Sequence, residues 1–244
     1  MEEIKSPMPL IDGEYYVAAN DVAEKLKFNY NWDIAKNQAV AVNTAEETSI
    51  LPLKYDLREK GRAPGVKNQG PYGTCWAFAA LSAMESTLLP EETHEFSPDH
   101  MTNQNGFSQK QTEGGEYTMG MAYLAAWQGP VNEEDDPYGD GKSEEGLKPV
   151  KHVQEIQLLE GKDFEKIKEA VFLHGGVQTT IYSALQDARA YSPYYNNEKY
   201  SYCYMGAEKP NHAIMIIGWD DTYPKENFNL EVEDDGAFLC QNSW

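Results

Sequence analysis

Cys75 follows the glycine-bearing turn QGPYGT and opens the apolar run CWAFAALSAMESTLL. A cysteine that opens a helix is favoured as its thiolate, because the unpaired N–H groups and the macrodipole stabilise negative charge. A thiolate nucleophile needs a base that can become its cationic partner, a group that orients the base, and donors for a developing oxyanion. His212 heads the apolar run HAIMIIGWD, and Asn242 sits in CQNSW. Alone, a cysteine is more often a small buried hydrophobe, and a histidine heading a strand is often structural. Their combination points to nucleophilic catalysis. The other histidines (His94, His100, His152, His174) have no comparable setting and read as surface or packing residues.

Several elements must position these groups. The run from Cys75 is apolar nearly all round, as in a helix buried in a core. YTMGMAYLAAW (117–127) is a second apolar helix candidate. Residues 132–145 are acidic and loop-like. DFEKIKEAVFLH (163–174) is amphipathic, with Asp163 near its start and Gly175 just past its end. The pattern then turns to strands: GVQTTIYS, KYSYCYMG, HAIMIIGWD and GAFLCQNSW. A helical front and a β-rich back predict an α+β fold.

Ahead of this lies a different texture. EYYVAA (14–19) reads as a short strand, and Asn20 caps a short amphipathic helix, DVAEKLK. FNYNWD and QAVAVN alternate like strands around the turn-prone Ala-Lys-Asn segment. This β-α-β-β pattern over 9–43 resembles the small repeat of copper amine oxidase N-terminal-like domains, without metal-ligand spacing. NTAEETS (43–49) is the expected linker. The predicted division is therefore an accessory or pro-like segment over 1–50 and a second domain over 51–244.

Composition narrows the classes. The 244 residues carry 20 Lys and Arg against 40 Asp and Glu, a formal net charge of −20. That argues against nucleic-acid binding, which needs a basic face, and against docking on an anionic membrane. Apolar content of 41% argues against a disordered chain. No apolar run reaches the roughly 18 residues of a membrane span. Three cysteines, with no C-x-x-C pair, cannot form a dense disulfide framework or a zinc knuckle. Cys203 and Cys240 sit in strand-like runs and are expected as buried free thiols, a Cys203–Cys240 bridge being the lesser alternative. EVEDDG and DPYGDG have calcium-loop flavour, but neither has Glu at the twelfth position, so both read as solvated acidic loops. MEEIKSPMPL lacks the form of a signal peptide. The chain is thus either cytosolic or expected without its leader.

The run KNQGPYGTCWAF, with His212 and Asn242 downstream, resembles the papain family of cysteine peptidases. In that family the His and Asn follow the nucleophile by about 130–150 residues. Here His212 lies 137 residues on (212 − 75) and Asn242 lies 167 on (242 − 75). The excess fits the acidic insertion TYPKENFNLEVEDDG. YDLREKG (55–61) resembles the entry to the mature domain, and the likeness covers roughly 51–244. GPVNEEDDPY and GWDD resemble the secreted bacterial branch.

The resemblance implies a two-lobed fold: a helical lobe over 51–130 and a β-barrel-like lobe over 131–244, with the active site between them. It implies Cys75 as nucleophile, His212 as base and acid, and Asn242 as the group holding the ring. It further implies Trp244 shielding the His–Asn bond, and Gln69 with the Cys75 N–H binding the oxyanion. Gly114 and Gly115 become a backbone clamp for substrate. The pocket falls at Glu116, Tyr117, Thr180, Pro210 and Ala213, with Asn211 and Trp244 on the substrate side. A hydrophobic guest is expected, with Glu116 admitting basic residues. The implied protein is a monomeric, secreted or surface endopeptidase without metal or cofactor, acting on peptides or proteins. The alternatives are a catalytically impaired surface peptide-binding relative and an acyl transferase with the same triad.

Two departures stand out. Tyr72 occupies the position where the family often has a disulfide-bonded Cys, so packing must hold the nucleophile loop. The family also continues past N-S-W, whereas this sequence stops at Trp244, so an incomplete or trimmed β lobe is expected.

Overall fold

The computed structural model describes residues 51–184 and 192–244. Before residue 51 it describes only the backbone of four strands: β1 (Leu10–Ile11), β2 (Glu14–Tyr15), β3 (Phe28–Asp33) and β4 (Gln38–Asn43). The chain divides into two compact units, Met1–Ile50 and Leu51–Trp244. In the first, β3 and β4 pair antiparallel from Phe28↔Asn43 to Asp33↔Gln38, and β1 pairs with β2. The expected helix 21–27, the turn 35–37 and most of the linker lie outside the described residues.

The second unit follows β5 (Lys54–Asp56), α1 (Cys75–Leu88), α2 (Pro98–Asn103), α3 (Tyr117–Ala125), α4 (Phe164–His174), β6 (Val177–Ile181), β7 (Tyr195–Asn196), β8 (Ser201–Tyr202), β9 (His212–Asp220) and β10 (Ala237–Gln241). Strand β9 is the spine of the sheet. β10 pairs along one edge of it, while β6 and β5 share the other, all antiparallel. Eight successive β9 residues, His212 to Trp219, are buried, which explains the unbroken apolar run HAIMIIGW. The β lobe is thus an open four-stranded sheet with the β7–β8 hairpin beside it. KYSYCYMG supplies only the two residues of β8 to that hairpin.

Two cores form, and they do not follow a division at residue 130: Tyr55 and Leu57 join the sheet-side core, and Ala213 joins the helical one. One gathers Trp76, Leu81, Phe96, Met101, Met119 and Tyr123 around α1 and α3. The other gathers Tyr55, Leu57, Val171, Met215, Ile217 and Trp219 between α4 and β9. Helix α1 is buried on almost every face, as its composition predicts. Helix α4 begins at Asp163, whose carboxylate accepts from Lys166 N, and ends before Gly175 at φ +115°. Helix α2 escaped the sequence reading, although Ser97-Pro98 is a start signal: the Ser97 hydroxyl caps His100 N and Pro98 takes the first turn.

Two sequence expectations change. The acidic segment 132–145 is not simply solvated. Asp136 is buried, Ser97 N donates to Val131 O, and Glu133 N donates to Glu95 O. These bonds tie 131–136 to the helical half rather than to the β-rich lobe. Cys203 is half-buried and Cys240 exposed, and no cysteine is bridged. The pairing of β10 with β9 shifts register between Leu239 and Cys240. Among the described residues, no helix is long and apolar enough to cross a membrane.

Candidate active site

Cys75 is the first residue of α1, behind Thr74. The turn before it needs glycine: a Cβ on Gly73 would stand 2.8 Å from the Gly114 backbone. Gly73 N donates to Gln111 O at 2.7 Å. The Gln111 side chain is in turn held by Asp99 Oδ1 and Thr102 Oγ1. These bonds hold the loop where the resemblance leads one to look for a disulfide. They also place the Gly114-Gly115 segment against the nucleophile turn. Gly114 has φ +82°, and a Cβ on Gly115 would meet the Trp76 indole nitrogen at 2.2 Å. Both positions are therefore closed to larger residues.

From the other lobe, the start of β9 reaches the same place. Ala213 N lies 3.4 Å from Cys75 Sγ, as a donor to it. His212, the preceding residue, is buried, and its Nε2 lies 2.8 Å from Asn242 Oδ1. Ser243 N donates to the same Oδ1 at 2.8 Å. A backbone N–H can only donate, so this atom of Asn242 is the oxygen, and His212 Nε2 carries the hydrogen. Nδ1 is left as the basic nitrogen. Trp244 stacks on the imidazole, with ring centroids 4.1 Å apart at 29°.

Gln69 is buried and fully oriented. Its N–H donates to Ser243 O at 2.7 Å, and Ser243 Oγ donates to its Oε1 at 2.6 Å. Its Nε2 donates to Tyr72 O at 2.8 Å, which leaves one amide hydrogen for another acceptor. Ser243 thus ties Gln69 to Asn242. The sequence reading passed over it, and its position after Asn242 was the available signal.

Burial is the largest influence on both ionisable groups. It pushes the Cys75 thiol up, against the pull of the Ala213, Trp76 and Cys75 N–H groups. It pushes His212 down, against the Asn242 hydrogen bond. The helix N-terminus alone therefore does not outweigh burial at Cys75, in keeping with the expected need for a partner base.

The pocket residues divide. Tyr117 and Thr180 line one cavity of about 770 Å³ with Gly120, Leu124, Val177 and Gln178. Ala213 is buried against Cys75 and the helical core. Glu116 precedes α3 and is exposed, as are Pro210 and Asn211. The Asn211 side chain is engaged with the backbone of Ser183. These three are not brought to that cavity.

With this geometry in place, the relationship to known proteins is direct. The chain belongs to the papain family of cysteine proteases, whose family model matches residues 51–244. Pro-cathepsin H of Bos taurus is 28% identical over 212 residues, covering 81% of this chain and 61% of that protein. The cysteine protease and lectin-like domains of Cwp84, a surface layer associated protein of Clostridium difficile, are 30% identical. They superpose with a TM-score of 0.64 over 79% of this chain and 45% of theirs. The proform of the ragweed pollen allergen Amb a 11, a cysteine protease, is 27% identical with a TM-score of 0.59, covering 81% of this chain and 57% of that one. The chain spans about three-fifths of the length of the cathepsin H relative.

Proposed function

We propose that the protein is a cysteine endopeptidase that cleaves peptide bonds through Cys75, His212 and Asn242. The observation that carries this reading is the convergence on one point of the α1 N-terminus, the β9 start and the Asn242-Ser243 backbone. Ala213 N touches the Cys75 sulfur, and Asn242 fixes His212 with Nδ1 basic.

Alone, neither Cys75 nor His212 favours its charged form in this buried setting. A proton passing from Sγ to Nδ1 creates two opposite charges together, and their attraction offsets the hydration that each gives up. The thiolate attacks the substrate carbonyl carbon. The Cys75 N–H and the remaining Gln69 Nε2 hydrogen receive the oxyanion. The imidazolium protonates the leaving amine, and His212 then activates water to hydrolyse the thioester.

Tyr117 and Thr180 on the wall of the cavity support a preference for apolar side chains. The net charge of −20 favours approach of basic peptides. The likeness to Cwp84, a bacterial surface layer protein, supports a secreted or surface setting. Residues 1–50 would serve there as an accessory or pro-like segment.

Hydrolysis of a fluorogenic peptide library by the wild type and Cys75→Ala tests the reading. Turnover by the wild type and none by the variant is expected. Equal turnover by both would overturn it.

A further inference from the structure

Thr74 stands where a threonine normally caps a helix, with its hydroxyl accepting from an N–H of the first turn. It makes no such bond. Its Oγ1 lies 2.7 Å from the Tyr138 hydroxyl, and the Tyr138 hydroxyl lies 2.8 Å from Gln69 O. A carbonyl only accepts, so Tyr138 donates to Gln69 O and Thr74 donates to Tyr138. The direction of this chain is fixed. Thr74 is fully buried, so its hydroxyl has no water to turn to. The first turn of α1 also carries no acidic side chain. Its N–H groups therefore have no side-chain competitor for the Cys75 sulfur.

Tyr138 itself comes from the acidic segment, and that segment is anchored. Asp99 Oδ2 accepts from Gly139 N at 2.9 Å and from Gly141 N at 3.3 Å. Glu133 Oε1 accepts from Tyr138 N at 2.8 Å. The ring packs edge-on against Phe78 of α1 and against Tyr72.

We propose that Tyr138 is a positioning residue that keeps the Thr74 hydroxyl off the N-terminus of α1, leaving the Cys75 and Trp76 N–H groups to the Cys75 sulfur. The same hydroxyl steadies the Gln69 backbone. The inference rests on Cys75 being the nucleophile. The titratable groups around Tyr138 are Asp99, Tyr72 and Glu133, and burial lifts the phenol to about 12. Tyr138 thus remains a donor throughout the working range of a protease. His212 is the ionisable neighbour beside Ala213, which touches the sulfur.

Without the phenol hydroxyl, the buried Thr74 hydroxyl must find another partner. A cap bond to a first-turn N–H is the usual choice; Ala77 N already donates to Thr74 O at 2.9 Å, which leaves the Trp76 N–H as the partner. The Trp76 N–H is one of those drawing the thiol down, and a charged acceptor loses most when a donor is diverted.

The test reads the Cys75 thiol directly. Iodoacetamide alkylation is followed against pH on the full chain, with the adduct located by peptide mapping. Tyr138→Phe should move the midpoint up by about one pH unit, the cost of one charge-assisted hydrogen bond. Adding Thr74→Val to Tyr138→Phe should return the midpoint to the wild-type value, because no hydroxyl is left to compete. Thr74→Val alone should leave it unchanged. An unmoved midpoint in Tyr138→Phe overturns the proposal, as does a midpoint still raised in the double variant. Should Tyr138→Phe fail to fold, a raised midpoint in Thr74→Val overturns it instead. Peptide hydrolysis, measured on the same samples, keeps the outcomes distinct. A wild type that cleaves nothing refutes the endopeptidase reading while the alkylation comparison still decides the role of Tyr138.

Discussion

Ser243 N donates to Asn242 Oδ1, and that bond decides which nitrogen of His212 is free. The backbone N–H fixes the amide oxygen, the oxygen fixes the hydrogen on Nε2, and Nδ1 becomes the base. Asn242 thereby acts through His212 rather than on substrate. His212→Ala should lower kcat/KM by about 10²–10⁴, since base and acid are lost together. Asn242→Ala should cost about tenfold, because the base survives in poorer orientation. Peptide kinetics on both variants check this, and equal losses would give Asn242 a larger part.

Ser243 also holds Gln69 from two sides. Gln69→Ala should lower kcat by about 10²–10³, as for one oxyanion donor. Ser243→Ala removes only the side-chain hold on Oε1 and should cost kcat about tenfold with KM little changed. A KM effect alone would place Ser243 in substrate binding.

The family, and the residues that the fold brings together, were legible because they lie in local patterns. The turn and helix around Cys75, the strand led by His212 and the CQNSW run each announce themselves in a few residues. Gly114-Gly115 was found by resemblance, and its close approach to Trp76 and Gly73 gives the physical reason for two glycines. Tyr138 and Thr74 were not legible, and Ser243 was marked only by its place after Asn242. Their parts depend on which hydroxyl meets which carbonyl across 64 to 174 residues of chain, and no period in the sequence encodes that. The acidic run 132–145 misled for a related reason. Its charges suggested solvent, while Asp99 and Glu133 accept backbone N–H groups of the loop and hold Tyr138 inward.

Gly115 offers a stability test. A Cβ there would collide with the Trp76 indole, whereas one on Gly65 meets nothing within 4 Å. Gly115→Ala should destabilise the fold by about 1–3 kcal/mol, as overpacking does, and should raise KM. Gly65→Ala should change neither. Thermal melts and peptide kinetics compare the two, and equal effects would deny the close approach.

Acid sensitivity should have a component from Asp56. The Arg58 side chain beside it holds the Asp56 carboxyl below its ordinary value of 3.8. A lowered folded value contributes stability above the unfolded value, lost as pH falls through the folded one. Arg58 is largely exposed, so the contribution is under about 1 kcal/mol. Asp56→Asn should therefore be slightly less stable than the wild type at pH 7, and the gap should close below about pH 3.8. Urea unfolding at both pH values checks the sign, and a gap that widens in acid would reverse it.

The central claim is that Cys75 is the activated nucleophile. Labelling the native, reduced protein with an epoxysuccinyl cysteine-protease inhibitor, followed by peptide mapping, addresses it most directly. Three free thiols compete for the reagent, and Cys240 is the exposed one. Residue exposure alone would favour Cys240, although burial around its sulfur pushes that thiol up to about 12, whereas reactivity governed by the His212 base would favour Cys75. The account predicts one adduct, on Cys75, lost in His212→Ala. An adduct on Cys240 with Cys75 unmodified would contradict it.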